Sequence, residues 1–405
     1  MKIGVLTFHK SINNGAVLQC YALTKRLKQE LPEAEVEVID YHMPKTDVGY
    51  EVSVSKYLKC KSLKLCIKKF IKLLCDPKML KRLRERITAF RSVEAYLPLS
   101  QKTIYSDSVN ELFEYINSTY DVVIAGSDAI WNYVTRGFPN PYFLDNGIGC
   151  KKFSYAASCY GMVYENIPDE QKQRIKEILD SYEFLGVRDD EAEKFVRFVE
   201  CDTPTLHTCD PTVTLDVNDL PVDEGALKAK LRRKGFDFSK ETIGIMGNDA
   251  MCKMVRKMYG KRYQIVALYN PLKKADINLH DLTPYEWAYV FRFFKLTFTT
   301  FFHGTLVSLR NGIPVVCVAL QTKYSKTHMP KVEDFLRRIG WEEHYFHTDY
   351  ETENIDKIKA SADALLASDR SEDIIAKMDK EAESFEVFLK LFKEKVEFSG
   401  GNGND

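Results

Sequence analysis

A strand–helix–strand unit over residues 295–318 restricts the possible folds of this chain more than any other feature. β-branched and aromatic residues predict a buried strand at 296–300, and a second apolar run predicts another at 314–318. Between them, a His-Gly-Thr turn at 303–305 precedes a segment with the spacing of a short helix, 306–310. This order requires parallel strands, whose carboxyl ends are where ligands of open α/β sheets bind. The unit predicts an α/β fold with an imidazole at that edge, although a polar turn in which the histidine merely caps the helix would give the same pattern.

Strands and helices alternate along most of the chain, and the alternation occurs in two series. Apolar runs predict strands at 2–7, 35–39, 120–125, 152–157 and 183–187, and then at 242–246, 264–268, 296–300 and 314–318. Two such series predict two Rossmann-like, doubly wound domains with a cleft between them. We place the N-terminal domain at 1–220 with a helical insertion at about 52–92, and the C-terminal domain with terminal helices at 221–398. Residues 399–405 have the composition of a disordered tail.

Composition predicts a cytoplasmic enzyme. The 405 residues carry no formal net charge, so no overall field favours nucleic acid. Ten cysteines are scattered without a Cys-x-x-Cys pair, which indicates reduced thiols, and the eight histidines have no metal-ligand spacing. The apolar start of the chain is too short for a signal peptide and resembles a first strand.

One segment, 56–91, departs from this neutral balance. It contains 13 lysines and arginines against 2 acidic residues, and leucines and isoleucines recur between them at near-helical spacing. A basic amphipathic helix of this kind can lie on an anionic membrane surface. The same pattern also fits a helical hairpin that packs on its own domain with its lysines in water. Peripheral contact with the inner face of the membrane is therefore one of two open interpretations.

Polar residues follow several of the predicted strands. Asn14 and Gly15 open a helix after the first strand, but no Gly-x-Gly-x-x-Gly loop is present, so dinucleotide binding has little support. Arg188 follows another strand and could bind a carboxylate or a phosphate, or form a surface salt bridge. Asp128 could cap a helix. The remaining polar or aromatic candidates at strand ends are Ser127, Trp131, Asn132 and the turn Asp210-Pro211-Thr212, which is expected to start a short strand.

Taken together, these segments resemble the polysaccharide pyruvyl transferase family over roughly residues 1–330. The motifs, in chain order, are Thr7-Phe8-His9, Asn14-Gly15-Ala16-Val17-Leu18-Gln19, Gly126-Ser127-Asp128-Ala129-Ile130-Trp131-Asn132, Ser154-Tyr155-Ala156-Ala157-Ser158, Val187-Arg188-Asp189, Asp210-Pro211-Thr212 and Phe302-His303-Gly304-Thr305. The resemblance implies two Rossmann-like halves arranged as in a GT-B glycosyltransferase. It also implies transfer of a pyruvyl group from phosphoenolpyruvate onto two sugar hydroxyls, with no further cofactor. Some branches of the family carry arginine where this chain has Phe302.

The chemistry of pyruvyl transfer suggests a role for each candidate. His303 would transfer a proton or contact the phosphate, Asp128 would act as base toward the sugar, and Arg188 would bind the donor. Trp131 would offer a flat surface for a pyranose ring. The other predicted substrate-binding residues are Asn14, Gly15, Ser127, Asn132, Gly304, Thr305 and Lys323.

The sequence therefore predicts a pyruvyl transferase that acts on a surface polysaccharide or its lipid-linked precursor and contains no metal. Two alternatives remain open at this point. One is a GT-B-type glycosyltransferase that uses a nucleotide sugar, and the other is a non-catalytic member that binds a sugar. Fold-level similarity does not decide among the three.

Overall fold

The chain folds around two parallel β-sheets. The computed structural model describes residues 1–43, 67, 78–322 and 324–397. The strands are β1 (Lys2–Leu6), β2 (Glu35–Val38), β3 (Tyr41–His42), β4 (Ile104–Tyr105), β5 (Val122–Ala125), β6 (Lys151–Ala157), β7 (Phe184–Val187), β8 (Thr205–His207), β9 (Thr242–Met246), β10 (Gln264–Leu268), β11 (Ile277–Leu279), β12 (Leu296–Thr299), β13 (Val315–Ala319) and β14 (Tyr345–His347). The prediction of an α/β protein built on two parallel sheets is confirmed.

Helices connect the strands. The described α-helices are α1 (Asn14–Glu30), α2 (Met79–Arg91), α3 (Val109–Thr119), α4 (Tyr133–Arg136), α5 (Asp169–Leu179), α6 (Asp190–Phe198), α7 (Glu224–Arg233), α8 (Asp249–Tyr259), α9 (Pro284–Tyr289), α10 (Phe302–Arg310), α11 (Lys331–Arg338), α12 (Ile355–Ala367) and α13 (Ser371–Glu397). Short 3-10 helices lie at Glu94–Tyr96, Pro141–Phe143, Tyr164–Asn166, Pro211–Thr214, Val217–Asp219, Val290–Phe293, Tyr324–Lys326 and Glu342–His344.

Both large sheets have the doubly wound strand order. The first is β2-β1-β5-β6-β7-β8 and the second is β11-β10-β9-β12-β13-β14, and adjacent strands in each run parallel. The strand order reverses at the β1/β5 boundary in the first sheet and at the β9/β12 boundary in the second. In open parallel sheets the crevice at such a reversal is the usual place of a ligand.

Helix α13 joins the two halves. Near its start, Ser371 lies against Gly312 just beyond α10, on the side of the second sheet. Near its end, Phe388 packs edge-on against Tyr155 of the first sheet, with ring centroids 4.8 Å apart, and Phe392 packs against Phe153 at 4.7 Å. The core of buried residues is therefore continuous from one sheet to the other through this helix.

We expect Phe388→Ala to destabilise the fold by about 3–5 kcal/mol, because a fully buried ring leaves a cavity between α13 and the first sheet. The matched control is Val387→Ala on the same helix, where the side chain is 53% exposed and the change should stay within about 0.5 kcal/mol. Urea denaturation monitored by circular dichroism measures both. Equal losses in the two variants would contradict the packing role of α13.

Two local predictions were wrong. Helix α10 begins at Phe302 and not at 306, so the predicted turn 303–305 is its first turn. A Cβ at Gly304 would lie 2.8 Å from Thr299 Oγ1, so the glycine serves close packing of the helix on β12. The expected strand after Asp210 is instead the 3-10 helix Pro211–Thr214, because the Asp210 side chain accepts a hydrogen bond from the Thr212 backbone N–H at 3.0 Å.

The predicted basic insertion lies mostly outside the described residues, as does the predicted tail. Its described part is α2, in which Ile87 and Phe90 are buried. Arg86 donates to the His280 carbonyl at 3.3 Å and places its guanidinium 4.1 Å from the Tyr269 ring centroid. In this part the apolar side of the segment packs on the protein itself. Contact of 56–91 with a membrane stays a prediction, and so does the division into domains.

Candidate functional site

Several predicted site residues lie at the carboxyl ends of strands, and those that follow β5 and β12 lie beside the two reversals of strand order. In the first sheet, Asp128 follows β5 and Arg188 follows β7. In the second sheet, His303 follows β12 and lies in the first turn of α10. Helix α1 and the 3-10 helix Pro211–Thr214 both pack against α10, which brings these strand ends together.

A buried ion pair forms the centre of this cluster. Arg188, whose side chain is 1% exposed, donates from Nη1 to Asp210 Oδ2 at 2.9 Å. Burial alone would raise the pKa of Asp210, but His303 and Arg188 together lower it below the ordinary carboxyl value. Asp210 is therefore a stable anion that holds the guanidinium in place. The alternative that Arg188 forms only a surface salt bridge is wrong, because both partners are buried.

The imidazole of His303 lies between the two halves of the protein. Its Nε2 is 3.4 Å from Asp210 Oδ2. Its other side packs on Gly15 of α1, where a Cβ would come within 1.9 Å of His303 Nδ1. Gly15 is thus required by the close approach of the ring and not by its backbone conformation. Asp210 and Gly15 together fix the position of the imidazole.

Asp128 has an unusual backbone conformation for a residue other than glycine. Its φ angle is 90°, and its carboxylate accepts the backbone N–H of Ala129 at 2.9 Å. Such a conformation is tolerated by aspartate but costs about 1–3 kcal/mol when the surrounding structure imposes it. Burial raises the pKa of Asp128, whereas the positive charges of Lys331 and Arg188 lower it by more than burial raises it. The net shift of the pKa is downward. Asp128 is consequently ionised at neutral pH, which suits a base and not an acid.

Several buried polar atoms of the cluster have no hydrogen-bond partner among the described residues. They are Asn14 Oδ1, Arg188 Nε, Arg188 Nη2 and His303 Nε2. Asp128 Oδ1 lies 3.6 Å from Arg188 Nη2, and Asp189 Oδ2 lies 3.7 Å from Arg188 Nε. Nε and Nη2 form one edge of the guanidinium, which presents two parallel N–H donors to a planar anion. Because buried polar groups are normally paired, these atoms indicate that the site accommodates a polar ligand.

Other predicted site residues serve the scaffold through their side chains. Ser127 Oγ donates to Gln19 Oε1 at 3.0 Å, and Asn132 Nδ2 donates to the Tyr160 carbonyl at 2.8 Å. The buried hydroxyl of Thr305 is 3.1 Å from the Phe301 carbonyl. Gly304 packs against Thr299, as described above. These contacts shape the loops of the site.

Trp131 requires a correction. Its side chain is fully buried, stacked on Phe143 at 6.1 Å between ring centroids and packed against Phe195 at 6.3 Å. Neither face is open to a pyranose, so the predicted stacking role does not fit this structure. Lys323, another predicted binding residue, lies outside the described residues.

The structure gives two residues, Asp210 and Lys331, a place in the site that the sequence did not predict for them. Asp210 was recognised only as part of a turn, although an Asp-Pro step directly after a strand is a usable signal. Lys331, at the start of α11, carried no sequence signal because it follows no strand of the predicted series. Its proximity to Asp128 results from the folding of the second half over the first.

A further polar cluster lies beyond β1 and β2. His9 Nε2 and His42 Nε2 approach Asp40 Oδ1 at 2.9 and 3.0 Å, a grouping that sequence spacing did not reveal and that could hold a metal ion. However, Lys10 Nζ also lies 2.9 Å from Asp40 Oδ1, and Thr103 donates to Oδ2 at 2.7 Å. The carboxylate is already bound by a cation that would repel a metal. The cluster therefore fits a structural ion-pair network better than a metal centre.

A family model described as polysaccharide pyruvyl transferase matches residues 13–322, more than half of the chain. The chain belongs to the polysaccharide pyruvyl transferase family. The match includes Arg188, Asp210 and His303, and it supports assignment of the chain as a transferase of polysaccharide biosynthesis. A comparison with curated protein sequences finds no match to this chain.

Solved structures share the fold at low sequence identity. A candidate UDP-N-acetylglucosamine 2-epimerase from Listeria monocytogenes superimposes with a TM-score of 0.56 and 11% identity over 98% of this chain and 96% of its own. A UDP-GlcNAc 2-epimerase from Neisseria meningitidis bound to UDP-GlcNAc gives 0.53 and 11% over 97% and 100%. The likeness concerns the fold alone and shows two Rossmann-like halves arranged as in GT-B glycosyltransferases.

No helix among the described residues is both long enough and apolar enough to cross a membrane.

Proposed function

We propose that this member of the family transfers the pyruvyl group of phosphoenolpyruvate onto two hydroxyls of a sugar in a surface polysaccharide or its lipid-linked precursor. The observation that supports this most is the convergence of Arg188, Asp210 and His303 from both halves, with donor nitrogens left unpartnered. Phosphoenolpyruvate carries a planar carboxylate and a phosphate, and a guanidinium edge beside an imidazole is suited to such a ligand.

Formation of the ketal has a simple proton balance. A proton is added to the methylene carbon, a sugar hydroxyl attacks the adjacent carbon, phosphate leaves, and the second hydroxyl closes the ring. The two hydroxyls lose two protons, of which one is accounted for by the new methyl group and one by the released phosphate. His303 would deliver the proton to carbon, and ionised Asp128 would receive one from a hydroxyl. Arg188 would hold the donor while charge develops.

The proposal is tested by ligand-dependent thermal stability. Phosphoenolpyruvate at about 100 times its Kd should stabilise the protein by about 2.7 kcal/mol, and this gain should be smaller in His303→Asn, which removes the imidazole beside the donor. His347→Asn, on the outer strand β14, is the matched control and should keep the gain. Stabilisation by a nucleotide sugar and not by phosphoenolpyruvate would contradict the proposal and favour glycosyl transfer. Product analysis with a panel of sugar acceptors then distinguishes transfer from binding alone.

A further inference from the structure

Lys331 has an unusual environment for a lysine. It is the first residue of α11, where the positive end of the helix dipole disfavours a cation, and Glu333 and Asp334 follow it in the same turn. Its Nζ lies 5.0 Å from the Tyr160 ring centroid and 5.2 Å from the Phe302 ring centroid. No carboxylate of the described residues comes within ion-pair distance of it. The lysine is partly buried and is held by two aromatic rings instead of a counterion.

The same Phe302 ring contacts the other cation of the site. The Arg188 guanidinium carbon is 4.9 Å from its centroid. Phe302, at the position where some family branches carry arginine, therefore lies between Arg188 and Lys331 in a small cationic cluster. Two like charges close to one ring repel each other, and Arg188 does contribute to lowering the pKa of Lys331. Such an arrangement is stabilised when an anion binds between the two.

The local charge count also requires a second cation. Asp128, Asp189 and Asp210 surround Arg188, so the guanidinium alone leaves the cluster net negative. A donor with a carboxylate and a phosphate would be repelled by that charge. Lys331, which interacts electrostatically with all three carboxylates, lowers this excess of negative charge. Lysine is a compact point charge that suits a phosphate, whereas the planar edge of Arg188 suits a carboxylate.

We propose that Lys331 is a substrate-binding residue that binds the phosphate of phosphoenolpyruvate, while Arg188 binds its carboxylate. The inference rests on the proposed function and adds to it the division of the two anionic groups between two cations. It assigns to α11 the positive charge that Phe302 does not supply at the start of α10.

Calorimetric titration of phosphoenolpyruvate, inorganic phosphate and pyruvate into the whole protein tests the inference. Lys331→Gln should weaken binding of phosphoenolpyruvate and phosphate by at least about tenfold, the equivalent of one charge-assisted hydrogen bond, and leave pyruvate binding unchanged. Lys331→Arg should restore most of the affinity. The matched control is Lys326→Gln, an exposed lysine in the preceding 3-10 helix, which should bind all three ligands as the wild type does.

The pH dependence of binding gives a second readout. Burial is the largest effect on the pKa of Lys331 and lowers it, and the positive charge of Arg188 lowers it too. Asp128, Asp189 and Asp210 raise this pKa, but the net shift is downward. Affinity for phosphoenolpyruvate should therefore fall as the pH rises through a value below the ordinary lysine pKa of about 10.4. This fall should be absent in Lys331→Arg.

The outcomes separate two failures. A wild-type protein that binds phosphoenolpyruvate together with a Lys331→Gln variant of equal affinity would overturn the role of Lys331 and leave the proposed function standing. A wild-type protein that does not bind phosphoenolpyruvate would overturn the proposed function and the inference with it. A Lys331→Gln variant that loses pyruvate and keeps phosphate would reverse the assignment of the two groups and so overturn the inference. Circular dichroism of each variant verifies that it is folded.

Discussion

Gly15→Ala is expected to lower turnover by about two to four orders of magnitude, the range over which a displaced proton-transfer group reduces a rate. The added methyl group would lie 1.9 Å from His303 Nδ1 and 2.1 Å from Cγ, so the imidazole must move away from Asp210. Gly15 itself touches no reacting atom in this account and acts through the position of the ring. The measurement is phosphate release from phosphoenolpyruvate in the presence of acceptor, with circular dichroism to monitor folding.

The chain offers a closely matched control. Gly225 is the second residue of α7, as Gly15 is of α1, and a Cβ there would meet only the Asp223 side chain, at 3.3 Å. Gly225→Ala should leave turnover unchanged. A double-mutant cycle with His303→Ala separates steric displacement from general loss of stability, because the cost of the methyl group should vanish once the imidazole is removed. An equal cost with and without the imidazole would contradict the contact.

Arg188→Gln is expected to destabilise the fold by about 3–5 kcal/mol, because removal of the guanidinium leaves buried carboxylates without their counterion. Asp210 is 2% exposed and would lose its hydrogen-bonded guanidinium, keeping only the His303 imidazole at 3.4 Å and the weaker electrostatic interaction with Lys331. The matched control is Arg197→Gln, whose ion pair with Glu193 is on the surface and should contribute less than about 1 kcal/mol. Urea denaturation of both variants measures the difference.

The destabilisation of Arg188→Gln should depend on pH with a defined sign. In the wild type, the pKa of Asp210 lies below its unfolded value despite burial, so its stabilising contribution is present above the ordinary carboxyl pKa and is lost as the pH falls through the folded pKa. Without Arg188, burial raises that pKa, and protonation relieves the cost of the charge. The deficit relative to wild type should therefore shrink from pH 7 to pH 5. A deficit that stays constant or grows on acidification would contradict the buried-charge explanation.

Much of the fold could be predicted because its central strands are apolar runs of four to seven residues between polar turns. The runs at 242–246 and 264–268 coincide with β9 and β10. The strands that were missed, such as β8 and β11, have three residues each, too few for a periodic pattern to emerge. They add to the sheet edges through tertiary pairing, which local sequence does not encode.

The site was only partly predictable. Arg188 and His303 follow strands of the apolar series, so their meeting at one edge could be inferred from topology. The burial of Trp131 could not be, because the packing of Phe143 and Phe195 around it depends on distant segments. Lys331 interacts electrostatically with Asp128 because the two halves of the protein pack together, and no spacing in the sequence indicates this proximity.

The decisive measurement is a crystal structure of the protein with phosphoenolpyruvate. We expect the carboxylate on the Nε and Nη2 edge of Arg188, the imidazole of His303 beside the methylene carbon, and the phosphate toward Lys331. Density for phosphoenolpyruvate at another place, or a nucleotide sugar that occupies this site in preference to it, would rule out the proposed donor site.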